Sequence, residues 1–234
     1  MNPSTRLFVS LFVACIAPLC AQTSLNFNLG GPGETVRDQF VFADGGVTAT
    51  ATAFSVNRTI SGATFQDSQI VQWSPGIGVK NSSEVITDVP YVPYYVDNQD
   101  HYDFVLFVFS DQVDITSVKI SPSSGTFDLD ASYWLGNINT NTDLSGASFA
   151  GLMTFGFGSR IDSDSTASSS PRTFGISSPT GGVNAMLIGA RIGGDANYDR
   201  FKISTVQGVT VIPEPTTTGL LVCSLALVLR RRRA

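Results

Sequence analysis

Phe104-Val105-Leu106-Phe107-Val108-Phe109 is apolar at six consecutive positions. Such a run reads as a central strand covered on both faces, because successive side chains of a strand point to opposite sides. On its N-terminal side, Val47, Ala49, Ala51 and Ala53 alternate with Thr48, Thr50 and Thr52, and Leu25, Phe27 and Leu29 share one face. Both patterns have the two-residue period of half-buried strands. On its C-terminal side, Val113 and Ile115 change phase with Val118 and Ile120, which predicts a β-bulge around Thr116-Ser117. Further strands are expected in residues 131–135, 149–157, 184–192 and 201–212, between clusters of Gly, Pro, Ser and Asn. Seven to ten strands of this kind predict an all-β fold, an antiparallel β-sandwich or jelly roll.

The 234-residue chain is 42% apolar but only 14% charged, a composition of strands joined by polar turns rather than of helical repeats. Its length suits one large β domain, expected over residues 22–211, with a serine-rich loop at Ser163–Pro171. The full chain carries a formal charge of −5, with much of its positive charge at the ends. Residues 22–212 hold nine Lys and Arg against eighteen Asp and Glu, a balance of −9. That sign excludes a phosphate-binding surface and hence nucleic acid as a partner. The three cysteines, Cys15, Cys20 and Cys223, lie in the terminal apolar segments, so the β domain has neither disulfides nor thiolate metal ligands.

The ends read as targeting elements. Residues 1–21 have the order of a signal peptide: Arg6, an apolar run from Leu7 to Ile16, then Pro18, with cleavage after Ala17 or Ala21. At the other end, Ile212-Pro213-Glu214-Pro215 precedes an uncharged stretch, Thr216 to Leu229, and then Arg230, Arg231, Arg232 and Arg233. The two prolines interrupt regular structure and leave an extended segment for an enzyme cleft. Fourteen residues make a helix of about 21 Å, against roughly 30 Å of hydrocarbon, which suits temporary retention in a membrane. The arginines hold that end in the cytoplasm and place the preceding chain outside.

The arrangement of residues 212–234 resembles the PEP-CTERM sorting signal of Gram-negative and related bacteria. The resemblance implies that Pro213, Glu214 and Pro215 are the recognition motif. Thr216 to Leu229 is then the transmembrane helix, and Arg230 to Arg233 the cytoplasmic stop. It further implies an exosortase, an integral membrane cysteine enzyme, as processing partner, and a cell-surface setting among extracellular polysaccharide and biofilm matrix. Val96-Asp97-Asn98, Tyr102 to Phe107, Asp128 to Gly136 and Asp199 to Ile203 resemble more loosely the globular part of such proteins, which implies a jelly roll but no activity.

Within the domain, the aspartates are the first chemical feature. Asp97, Asp100 and Asp103 precede the apolar strand, Asp128 and Asp130 share a strand face, and Asp195, Asn197 and Asp199 are spaced by two. Hard oxygen ligands suit calcium, with Asp97, Asp103 and Asp199 as candidate ligands, although aspartates also cap turns. No EF-hand is present, since Val206 stands where that loop needs glutamate. Catalysis has little to draw on: His101 is the only histidine, placed in a polar turn, and the domain lacks cysteine. Tyr91, Tyr94 and Tyr95 offer loop-borne aromatic faces to sugar rings, whereas Trp134 reads as core. The expected function is therefore a noncatalytic surface or matrix protein that binds polysaccharide. A structural matrix component without a ligand and a glycan-active hydrolase are the alternatives.

Overall fold

A computed structural model describes residues 22–84, 94–122, 128–165, 168–193 and 198–211. The expected signal peptide, Tyr91 and the whole 212–234 sorting signal lie outside the described residues. The described chain is predominantly β. The first strands are β1 (Ser24–Asn28), β2 (Thr35–Arg37), β3 (Gln39–Asp44), β4 (Val47–Asn57), β5 (Gln66–Trp73), β6 (Gly76–Lys80) and β7 (Val96–Asp97). They are followed by β8 (His101–Pro122), β9 (Ala131–Gly136), β10 (Ile161–Ser163), β11 (Arg172–Gly175), β12 (Val183–Ala190) and β13 (Arg200–Thr210). Thirteen strands among the described residues exceed the seven to ten expected, because short edge pieces such as β2, β7 and β10 carry too few residues to show a period.

The strands form one sheet in the order β1-β13-β6-β5-β4-β8-β12-β9-β10, with antiparallel pairing throughout the ladders. Strand β8 organises it. Its first half, through Phe109, pairs with β4 and β12; its second half, from Val113, pairs with β13 and β11. Between the halves, Ser110, Asp111 and Gln112 are exposed. Because β13 also reaches β6, the path β13-β6-β5-β4-β8 closes on itself as a barrel-like circuit. The bulge expected near Thr116 is present: Gln207 faces Ser117 and Gly208 faces Ile115, so Thr116 is the extra residue.

Two apolar cores explain why residues 104–109 are apolar on both faces. Val105, Phe107 and Phe109 join Leu25, Phe27, Ile120 and Ile203 in the larger core. Phe104 and Leu106 point the other way and pack with Phe54, Trp134 and Leu187 under the segment that carries Ile138, Leu144 and Leu152. Each fully buried phenylalanine contributes about 2–3 kcal/mol of transfer free energy. Trp134 is core, as its place within a strand predicts.

Phe149–Phe155, expected as a strand, is a 3-10 helix. Ser148 caps its start by accepting from the Gly151 amide, and Gly156 ends it at φ 103°, a left-handed conformation suited to glycine. Phe149 packs on Phe65, Phe104 and Trp134 at centroid distances of 5.1–6.0 Å, so its aromatic spacing serves the second core rather than a sheet face. The start of the serine-rich loop is tied down. Arg172 donates to the Ser163 and Asp164 carbonyls, and Asp130 accepts from the Ser165 amide. Residues 22–211 form one contact-dense unit. Among the described residues, no helix is long and apolar enough to cross a membrane.

Candidate functional site

The three candidate calcium ligands do not meet. Asp199 lies just before β13 and joins Asp128 and Asp130, just before β9; one oxygen of each lies within 4.8 Å of the others. A bridge between Asp128 and Asp199 and a 2.9 Å bond from the Asp130 amide to Asp199 Oδ1 hold the two segments together. All three carboxylates are buried. They offer hard oxygen donors of the kind calcium takes. Two guanidinium groups offset the same charge: Arg191 pairs with Asp130 at 2.9 Å, while Arg172 donates to the Leu129 carbonyl at 2.7 Å. The spacing of Asp128 and Asp130 predicts a shared strand face, but both precede β9, and tertiary pairing with Asp199 rather than a strand brings them together.

Asp97 and Asp103 belong instead to a second acidic group with Glu84. Asp103 is fully buried and accepts from Asn81 Nδ2 at 3.0 Å. Burial first, then the charges of Asp97 and Glu84, raise its carboxyl well above the ordinary range. Burial also raises Asp97, whose Oδ2 lies 3.5 Å from Arg200 Nε. Glu84 is pushed up to about 7, chiefly by burial. His101 is buried rather than solvated, because it begins β8, and its Nδ1 lies 3.1 Å from Ser83 Oγ. Among the described residues no carboxylate hydrogen-bonds to its ring.

The tyrosines also part company. Tyr94 is buried, with the Lys80 ammonium 5.4 Å from its ring centre, and offers no face to a sugar. Tyr95 is half-buried. Lys202 lies 5.4 Å from the ring centres of both Tyr95 and Trp73, and its ammonium falls to about 8 because burial disfavours the charged form. These aromatic faces are engaged by the protein's own cations.

A ligand-sized space occurs elsewhere, on the outer face of the sheet. A groove of about 380 Å³ lies between the β3, β4 and β8 surface and residues 140–142. Thr48, Thr50 and Thr52 form its central column, since they are the alternate residues of β4 that face away from Ala49, Ala51 and Ala53 in the core. Strand register places apolar residues on either side. Val41 opposes Thr50 on β3, and Val108 and Leu106 oppose Thr50 and Thr52 on β8. Gln39, opposite Thr52, adds an amide.

The facing wall, Thr140-Asn141-Thr142, is held by its neighbours. Asn184 accepts from the Ile138 amide and donates to its carbonyl, both at 2.8 Å, while Asn139 accepts from the Asn141 amide at 3.0 Å. None of these donors and acceptors is a groove threonine. Among the described residues the side-chain hydroxyls of Thr48, Thr50, Thr52, Thr140 and Thr142 make no hydrogen bond within the protein, so each offers one donor and two acceptor positions. The column was visible in the sequence as a two-residue alternation, but it looked like any solvent-facing strand face; the wall that makes it a groove comes from a loop ninety residues later. Comparison with protein-family models, with curated proteins and with solved structures finds no match to this chain.

Proposed function

We propose that this is an exported, noncatalytic surface or extracellular-matrix protein whose β domain, a jelly-roll-like sandwich, associates with polysaccharide through the groove along β4. The observation that carries this reading is the groove itself: preformed, lined by threonine hydroxyls and by the amides of Gln39 and Asn141, and floored by apolar side chains. A sugar ring presents the same pairing of hydroxyl edges and C–H faces, and a largely preformed site limits the ordering cost of binding.

Sorting completes the proposal. Pro213, Glu214 and Pro215 are the motif read by an exosortase-type enzyme, the apolar Thr216 to Leu229 stretch is the transient membrane anchor, and Arg230 to Arg233 retain the tail until processing. Retention of the full chain on immobilised polysaccharides tests the first half. Wild-type protein is expected to be retained and the Thr50→Val/Thr52→Val variant to elute early with an unchanged circular dichroism spectrum; equal elution of both removes the groove from the account. The mass of surface protein tests the second half. The native chain is expected to lack its tail and a Glu214→Ala variant to keep it, and a tail present in both rules out processing.

A further inference from the structure

We infer that the ligand of this groove is an uncharged polysaccharide chain lying along β4, an inference that rests on the polysaccharide-binding reading and specifies its chemical class. The groove is lined by residues of β3, β4 and β8 and of the Thr140–Thr142 wall, and none of its eleven lining residues is charged. This absence stands out in a domain whose Asp and Glu outnumber its Lys and Arg two to one. A uronate or sulfate would find no cation there to replace its water, and an unpaired charge brought into a desolvated site is unfavourable.

The charges next to the groove have the wrong sign for an acidic polymer. Asp38 precedes Gln39, Asp143 follows Thr142, and Asp111 accepts a 3.0 Å hydrogen bond from Ser110, which is itself a lining residue. All three would repel an anionic chain, by an amount that salt screens. A buried, desolvated cation, Lys202, is committed to Trp73 and Tyr95 on another part of the sheet.

The lining suits a neutral chain in detail. Alternate residues of a strand are about 6.8 Å apart, so the hydroxyls of Thr48, Thr50 and Thr52 run for about 14 Å in one line. A single sugar would leave most of that line to water, whereas a chain would use it throughout. Val108, beside Thr50 on β8, receives the ring C–H groups while the hydroxyl column bonds to the ring edges. Hydrogen bonding between uncharged partners predicts affinity that is insensitive to ionic strength.

The test is retention of the full chain on cellulose and dextran beads, against alginate and chitosan beads, at low and high salt. Retention on a neutral polymer, equal at both salt concentrations and weakened roughly fivefold by Thr50→Val, supports the inference. A Thr50→Asp variant, checked for an unchanged melting temperature, is expected to lose retention more severely. Retention confined to alginate or chitosan and abolished by high salt overturns the neutral class while leaving polysaccharide binding in place. Retention on none of the four overturns the underlying reading as well.

Discussion

Glu84→Gln is expected to flatten the pH dependence of stability between pH 4.5 and 7.5. The carboxyl of Glu84 is raised from 4.5 to about 7, mainly by burial and further by Asp97, while the Asn81 amide donates to its Oε2 at 3.0 Å and opposes the rise. Between those two values the folded chain holds a proton that the unfolded chain has released. Stability therefore falls as pH rises through that window. A shift of this size corresponds to at most ~3 kcal/mol, and solvent screening at this half-buried position reduces it to about 2 kcal/mol. Glutamine keeps an oxygen for the Asn81 amide but has no charge to desolvate. Urea denaturation of the full chain at pH 4.5, 6 and 7.5 reads the effect. The wild type is expected to lose about 2 kcal/mol more than the variant across the series. The remaining slope belongs to Asp97 and Asp103, which are raised by the same cause and act in the same direction. Parallel curves for the two proteins would refute the claim that burial of Glu84 sets its titration.

Gly189→Ala is expected to destabilise the fold by about 3 kcal/mol or more, because the added Cβ would stand 2.2 Å from the Asp103 carbonyl oxygen and 2.3 Å from the Phe104 ring; a melting temperature within a degree or two of wild type would show that β12 and β8 can separate there. Arg191→Ala is expected to cost about 3 kcal/mol by leaving Asp130 buried without its cation, and an unchanged urea midpoint would mean that the carboxylate is neutralised in another way. A calcium ion held by Asp128, Asp130 and Asp199 would bind only the folded state, so millimolar calcium is expected to raise the melting temperature and Asp128→Asn to abolish the rise. Identical melting with calcium and with chelator removes the ion from the account.

What could be read from the sequence follows the range over which each signal acts. The two-faced apolar run at 104–109 and the alternation at 47–53 are local patterns, and both strands are where those patterns put them. The phase change around Thr116 is also local, and it located the bulge. Phe149–Phe157 misled because alternate aromatic spacing can serve a strand or a short helix lying on a core, and the deciding contact, Phe149 against Trp134, is tertiary. His101 looked solvated because its sequence neighbours are polar, yet strand pairing with Asn57 buries it. For the site, sequence spacing grouped aspartates by proximity along the chain, whereas the fold groups Asp199 with Asp128 and Asp130 and sends Asp97 and Asp103 to Glu84. The groove depends on the closeness of a threonine column and a loop that no local pattern links.

Hydrogen exchange of the full chain with and without a soluble neutral polysaccharide tests the central claim most directly. Polysaccharide seated along β4 is expected to slow exchange in Gln39–Asp44, in Val47–Asn57 and at Asn139 to Thr142, the two sides of the groove, and to leave β9 and β11 unchanged. Protection at Tyr95 and Trp73 with none along β4, or no change anywhere at saturating polysaccharide, would contradict it.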